Sequence, residues 1–267
     1  KNILRELDQK IDLLITQENQ GTSVARNTGI SSANGEFILP LDADDFFEPD
    51  FIEKSINILE NDAKVGLVTC HAYIFQGENI SGEIISMGGE AKDMLIRNGV
   101  LANSLFRKKV WEDVLGYDEK MVNGYEDWDF WVGCYELGHR GKHADKAIFY
   151  YRVHGEGNLL KDANNRDQIL KSQIILNHKD SYSSEQIQWA KQIKNSRNPE
   201  LIKDPGLGLM PSFNEDILNE ALNNENTNLT RLKKTERIIH CVFIIENLMG
   251  ITGGNITLKK LVQNLSK

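Results

Sequence analysis

Four aspartates and a glutamate crowd the stretch PLDADDFFEPD, from Pro40 to Asp50. Two of them, Asp42 and Asp44, stand at i and i+2 directly after the apolar residues Phe37, Ile38, Leu39 and Leu41. Carboxylates at the end of an apolar strand repel one another and lose hydration energy. An acidic run after a strand is commonly a turn or a helix cap, and Asp45 and Asp50 suit such a role. Asp42 suits it poorly, because it follows Leu41 and inherits the strand's burial. Two carboxylates leaving a strand in this way can turn toward one divalent ion. Hard ions of that kind are held by one or two carboxylates plus substrate phosphates rather than by a full protein cage. This is chemistry for activating a diphosphate.

A second constellation is NGYEDWDFWVGCYELG, which reads as a turn at Asn123-Gly124 followed by a helix. Trp128, Trp131, Val132 and Tyr135 fall at helical spacing, so they face the core or line a pocket. Glu126 and Asp127 then occupy the first turn. Acids there complement the helix dipole, and a carboxylate beside two tryptophans can equally serve as a general base near a sugar hydroxyl. A third candidate, His154, follows the strand-like AIFYYRV and precedes HGEGN. A lone histidine at a strand end is usually structural or solvated.

The elements that must position these groups alternate. IDLLIT (Ile11 to Thr16) is a short apolar run, SVARNTGISSA has helical periodicity, and EFILPL is a second strand. EPDFIEKSINILEN opens as a helix N-terminus prefers and repeats its apolar residues at three- and four-residue steps. VGLVTCHAYIF is a third strand. Strands separated by helices predict an α/β layer with a largely parallel sheet, in which ligands bind at the carboxyl ends of the strands. The acidic cluster sits at such an end.

The 267 residues are 40% hydrophobic and 26% charged, enough for a sizeable core and more than one domain. A net charge of -8 argues against nucleic acid as the main partner, while nucleotide phosphates can still bind through a metal ion. Three widely spaced cysteines, Cys70, Cys134 and Cys241, suit a reducing cytosolic setting and give no zinc pattern. No apolar run approaches the ~20 residues that span a bilayer. Both ends read as cut from a longer protein, with a βαβ unit expected before Lys1 and a large α/β domain after Lys267.

NQGTSVARNTGISSANGEFILPLDADD resembles the middle of a family 2 glycosyltransferase of the GT-A fold. Asn19, Gly21, Ala25, Arg26, Asn27, Gly29, Gly35, Asp42, Asp44 and Asp45 fall on that family's pattern. GYDEKMVNGYEDWDFW and the later Tyr-Arg-x-His of YYRVHGEGN continue it in order, over roughly Leu13 to Asn158. The resemblance implies a nucleotide-diphosphate sugar held by Asn19, Gly21, Arg26, Asp42, Asp44, Asp45 and Trp128. It implies Mn²⁺ or Mg²⁺ on Asp44 and His154 with Asp42 nearby, and Asp127, with Glu126 beside it, as the base that deprotonates a hydroxyl acceptor. Arg26 either anchors its helix or approaches the diphosphate. The expected reaction is inverting sugar transfer in polysaccharide or glycan synthesis. The expected setting is cytoplasmic, at the inner face of the membrane where the acceptor would hold the protein peripherally. An inert scaffold module and another metal-dependent nucleotidyl or phosphoryl transferase are the alternatives.

After about Asn158 the composition changes. LLKDANNRDQILKSQIILNH and SEQIQWAKQIK read as amphipathic helices, and the Asn-, Pro- and Gly-rich stretch after them as a linker. RIIHCVFIIENLMGITGGNITLKKLVQNL is a strand, a glycine-bearing turn and a helix. With Gly250, Gly253 and Gly254, it resembles the start of a family 4, GT-B glycosyltransferase. The expected organisation is therefore a GT-A catalytic domain over 1–158, a helical extension and linker over 159–236, and the first βα unit of a second α/β domain over 237–267.

Overall fold

The computed structural model describes residues 12–48, 50–77, 79–88, 91–153, 166–204 and 242–244. In chain order the elements are α1 (Thr22–Ser32), β1 (Phe37–Ile38), β2 (Pro40–Asp42), β3 (Phe46–Phe47) and α2 (Asp50–Asn61). Next come β4 (Val65–Gln76), β5 (Asn79–Ile84), the single turn α3 (Ala91–Met94), β6 (Leu105–Arg107) and α4 (Lys108–Val114). The remainder are α5 (Glu126–Glu136), β7 (Arg140–Arg152), α6 (Asp167–Asn177), α7 (Ser184–Asn195) and β8 (Val242–Ile244).

Six strands form one sheet in the order β1-β6-β4-β7-β3, with β5 on β4 beyond β6. The pairing corrects the expectation of a largely parallel sheet. Among the described residues of this sheet only β4 with β7 is parallel; β1/β6, β6/β4, β4/β5 and β3/β7 all run antiparallel. The tight β4–β5 connection at Gly77 (φ +65°) makes a hairpin, which a parallel pair cannot use. EFILPL also divides. β1 joins β6, whereas β2, one residue on, pairs in parallel with β8 as a separate two-stranded sheet.

Ile11 to Thr16, expected as a strand, is corrected as well. From residue 12 to 20 the chain has no regular structure, and Leu13, Leu14 and Ile15 are exposed. A strand needs a ladder partner for its backbone groups, and among the described residues none pairs with this segment. The expectation for Gly250, Gly253 and Gly254 falls outside the described residues. Of that region only β8 is described.

Side chains alternate across β4, so Leu67 and Val68 enter different cores on the two faces of the sheet. On one face α2 contributes Phe51, Ile52 and Leu59 to a cluster with Val68, Cys70, Ala72 and Phe149. On the other, α1 and α5 bury Ile30, Trp128, Phe130 and Trp131. The helices expected after residue 158 join that second core through Ile174, Ile175, Trp189 and Ile193. Helix α7 opens with a reciprocal cap between Ser183 and Gln186. Among the described residues, no helix is long and apolar enough to cross a membrane.

Candidate active site

Strand β2 ends at Asp42, and the chain turns at once, with Asp45 N–H donating to the Asp42 carbonyl at 3.2 Å. Asp42 and Asp44 remain partly exposed, while Asp45 is 1% exposed. Asp45 Oδ1 accepts from the backbone N–H of Arg152 at 2.8 Å, and Arg152 Nε donates to the Asp44 carbonyl at 3.0 Å. Beyond the turn, Phe46 pairs with Tyr150, and the Tyr150 hydroxyl donates to Glu48 at 2.8 Å. The acidic turn and the Tyr-Arg strand end, more than 100 residues apart in sequence, are therefore laced together. Burial, then repulsion from Asp42, pushes the Asp45 carboxyl well above the usual range. Its Oδ2 has no hydrogen-bond partner among the described residues. Asp45 thus latches the turn to β7. Asp50 lies in the first turn of α2 and pairs with Lys54.

On the neighbouring helix, Asn19 Oδ1 accepts from the N–H of Gly21 at 3.0 Å, and Gly21, at φ +92°, delivers the chain into α1. Nothing lies within 4 Å of where a Cβ would stand at Gly21, so its backbone angle, not space, calls for glycine. One turn later Arg26 is 2% exposed and grips Glu126 Oε1 at 2.8 Å, with Asp42 Oδ1 at 3.8 Å on its other nitrogen. Its guanidinium also stands 5.5 Å from the centre of the Tyr117 ring. Burial lowers the Arg26 pKa, but Glu126, Tyr117, Asp42 and Asp127 outweigh it, and the cation is held more firmly than usual. Arg26 thus ties α1 to the acids of β2 and α5.

Helix α5 begins after two residues in left-handed backbone, Gly124 (φ +114°) and Tyr125 (φ +60°). A non-glycine residue there costs on the order of 1–3 kcal/mol. The Tyr125 hydroxyl bond to Asp167 of α6 (2.8 Å) and its ring contact with Trp128 hold it in place. The turn sends the two acids to different partners. Glu126 meets Arg26, whereas Asp127 Oδ2 accepts from Asn98 Nδ2 at 2.8 Å. Burial first, and Glu126 second, raise the Asp127 carboxyl from its ordinary 3.8 to about 6; Asn98, Arg26 and the Trp128 backbone N–H pull the other way.

The tryptophans take the core side of their two readings. Trp128 is 3% exposed with its indole N–H on the Met94 carbonyl at 2.6 Å, and Trp131 is fully buried. Asp129 also leaves the site, bonding Asn177 at 2.8 Å and His178 at 3.2 Å.

Two asparagines were not singled out for roles by sequence. Asn98 partners Asp127. Asn27 accepts from Tyr117 N–H (2.9 Å) and the Trp111 indole (3.0 Å) and donates to the Tyr117 carbonyl (2.9 Å), pinning α1 against the Gly-Tyr-Asp-Glu segment. Gly116 lies so close that a Cβ there would stand 2.8 Å from Asn27 Oδ1. Only the Ala-Arg-Asn-x-Gly spacing hinted at Asn27, and nothing local marked Asn98.

Arg26 thus links Asp42 and Glu126 directly, and Asp127, bonded to Asn98, feels the charges of Glu126 and Arg26. His154 lies outside the described residues. Among those described, no set of three or more His, Cys, Asp or Glu side chains is arranged to hold a metal ion. The partly exposed Asp42 and Asp44 still fit a hard divalent cation, whose remaining ligands are ordinarily phosphate oxygens and water.

Residues 1–115 match the sequence model of Glycosyl transferase family 2. The uncharacterized glycosyltransferase MJ1057 of Methanocaldococcus jannaschii is 25% identical over 166 residues, covering 58% of this chain and 55% of that protein. Chondroitin synthase of Escherichia coli is 27% identical over 149 residues, covering 55% of this chain and 21% of that enzyme. The chain therefore spans about half the length of the first relative and a fifth of the second. Among solved structures, S. aureus TarS 1–349 in complex with UDP-GlcNAc superposes with a TM-score of 0.52 at 15% identity, over 74% of this chain and 61% of that one. GalNAc-T7 with UDP, GalNAc and Mn²⁺ gives 0.51 at 12% identity, over 85% and 46%. At these identities the likeness is one of fold, that of GT-A glycosyltransferases. Over residues 1–115 the chain is thus similar in sequence to Glycosyl transferase family 2, and the relatives it matches beyond that span are glycosyltransferases.

Proposed function

We propose that the protein transfers a sugar from a nucleotide-diphosphate sugar to a hydroxyl acceptor with inversion, and that Asp127 is the base. The observation that carries this reading is the Asp127 carboxyl. It sits at the start of α5, is pushed up to about 6, and stands beside Glu126, which Arg26 links to Asp42 at the end of β2. A base serves best with a pKa near the working pH. At neutral pH this carboxyl is mostly ionised yet more basic than an ordinary aspartate.

In the proposed step the acceptor oxygen attacks the anomeric carbon and its proton passes to Asp127. The bond from that carbon to the diphosphate oxygen breaks on the opposite face, and the nucleoside diphosphate leaves with the electron pair. Arg26 holds Glu126 in place at 2.8 Å, beside Asp127, whose carboxyl pKa Glu126 helps to raise. Asp42 and Asp44 face the donor side, with Asp45 holding their turn. Mn²⁺ or Mg²⁺ on Asp42 and Asp44, joined by His154 as the resemblance implies, would neutralise charge on the departing diphosphate. Mn²⁺ in GalNAc-T7 and UDP-GlcNAc in TarS support this choice of cation and donor class. The chondroitin synthase relative supports a glycan acceptor and a role in polysaccharide synthesis.

The test is turnover of a panel of nucleotide sugars by wild type and Asp127→Asn in the presence of Mn²⁺. Loss of a general base should lower kcat by roughly 10² to 10⁴-fold while donor affinity stays within a few-fold. Near-full transfer by Asp127→Asn, or a dead Glu126→Gln beside it, would give the role to another carboxylate.

A further inference from the structure

We infer that Asn98 is a positioning residue for Asp127, pinning one carboxylate oxygen and leaving the other to receive the acceptor's proton. The inference rests on the reading of Asp127 as the base and adds a residue that no motif marks.

Asn98 is buried, 8% exposed, and the two ends of its amide are distinguishable. Oδ1 accepts from the backbone N–H of Val100 at 3.3 Å, so the amide nitrogen must be the end that meets Asp127 Oδ2 at 2.8 Å. A flipped amide would place its oxygen against a carboxylate and its NH₂ against an N–H, losing both bonds.

The loop carrying Asn98 is itself clamped to the sheet. The Gly99 carbonyl accepts from Ser86 Oγ and from Met87 N–H, both at 2.9 Å. Ser86 Oγ in turn bonds Thr69 Oγ1 of β4 at 2.8 Å, and Thr69 accepts from Leu101 N–H at 3.3 Å. From the other side the same stretch holds the first turn of α5, through the Trp128 indole on the Met94 carbonyl. Asn98 is thus fixed between the central strand and the helix that bears the base. A donor held so rigidly orients the carboxylate without spending order when the acceptor arrives.

Among the described residues, the other charged or titratable groups near Asp127 are Glu126 on its own helix, Arg26 of α1, Tyr117 and Tyr125 before α5, and Tyr151 of β7. Glu126 and Arg26 are bound to each other. Among the described residues, Asn98 is the side-chain hydrogen-bond donor that acts on Asp127, beside the backbone N–H of Trp128.

The experiment is an NMR titration of the 267-residue chain carrying ¹³C-labelled aspartate, from pH 4 to 9. The Asp127 carboxyl signal is assigned by its disappearance in Asp127→Asn. In wild type the Asn98 side-chain amide should titrate with the same midpoint as the Asp127 carboxyl. In Asn98→Ala that midpoint should rise by about one pH unit, the effect of removing a donor to a charged group. An Asn98 amide that does not follow Asp127 in wild type, or an unmoved midpoint in folded Asn98→Ala, overturns the assignment. The wild-type comparison decides the matter even if the variant fails to fold. Sugar transfer by Asp127→Asn would sink the base reading while leaving the titration result standing, so the two failures are distinguishable.

Discussion

Asp127→Asn should make the protein more stable as well as less active, and the stability gain should depend on pH. A carboxyl whose folded pKa lies above its unfolded value contributes stability that is complete below the unfolded value. That contribution is lost as the pH rises through the folded one. For Asp127 the interval runs from 3.8 to about 6. At ~1.4 kcal/mol per pH unit, the ionised side chain costs the fold about 3 kcal/mol at pH 8 and nothing at pH 3. Asparagine mimics the protonated acid, can still accept from Asn98, and removes the repulsion from Glu126. Its advantage over wild type should grow from near zero at pH 3.5 to a plateau above pH 7, where it corresponds to roughly 6–12 °C in Tm for a domain of this size. Urea unfolding of the two proteins across that range, followed by circular dichroism, measures the difference directly. A variant equally stable at every pH, or one that loses stability as pH rises, would show that the carboxylate is not held against its own preference. Asp127 would then lack the raised basicity that suits it to accept a proton. Stored destabilisation of this kind is the usual cost of a functional group placed for chemistry.

Other perturbations read other parts of the site. Arg26→Met leaves Glu126 and Asp42 without their shared cation, which should cost about 3 kcal/mol in urea unfolding, and the Asp127 midpoint should rise because Arg26 lowers it. Asp45→Asn keeps an acceptor for the Arg152 N–H and removes charge beside Asp42. It should therefore gain on wild type as pH increases, whereas Asp45→Ala, which also loses the acceptor, should start about 1–3 kcal/mol below wild type at low pH and narrow that deficit as pH rises. His178 works with the opposite sign. Burial lowers its pKa, but Asp129 and Glu136 raise it further, so the stability it adds is full below its ordinary 6.5 and fades as pH climbs above that value. The thermal deficit of His178→Gln should accordingly be larger at pH 6 than at pH 9. Asp44→Asn should weaken Mn²⁺-dependent binding of UDP in calorimetric titrations while leaving the unfolding midpoint within ~0.5 kcal/mol, since its side chain is partly exposed. Equal UDP binding with and without Mn²⁺ in both proteins would remove Asp44 from the cation's ligands.

Where the sequence could be read, the signal was local. Helices α1, α2, α5, α6 and α7 carry their periodicity within a dozen residues, and β4 and the 147–152 half of β7 stand out as strands, whereas the polar 140–146 half does not. The placement of Glu126 and Asp127 in a first turn needed only Asn123-Gly124 and the apolar spacing beyond it. What escaped was everything decided by a distant partner. Leu39 gives no sign that β1 and β2 part company there, because the choice depends on β6 and β8 elsewhere in the chain. Leu13, Leu14 and Ile15 have a strand's composition, but composition does not supply a neighbour. Asp42 and Asp45 are the same residue type three positions apart. One stays near solvent beside Arg26, and the other is sealed against a backbone N–H that is 107 residues away.

The same separation explains why the site is held as it is. Its four charged groups come from α1, β2 and α5, and none of those elements could keep like charges together alone. Arg26 supplies the attraction that draws Asp42 and Glu126 toward one point, and Asn98 supplies a neutral donor to the one carboxylate that Arg26 does not grip. Had a second cation paired with Asp127, its pKa would fall and its basicity with it. A neutral amide orients the carboxylate at a smaller cost to its proton affinity. The division of partners, cation to Glu126 and amide to Asp127, gives two adjacent acids different electrostatic settings, and on the proposed reading only Asp127 is left to take up a proton.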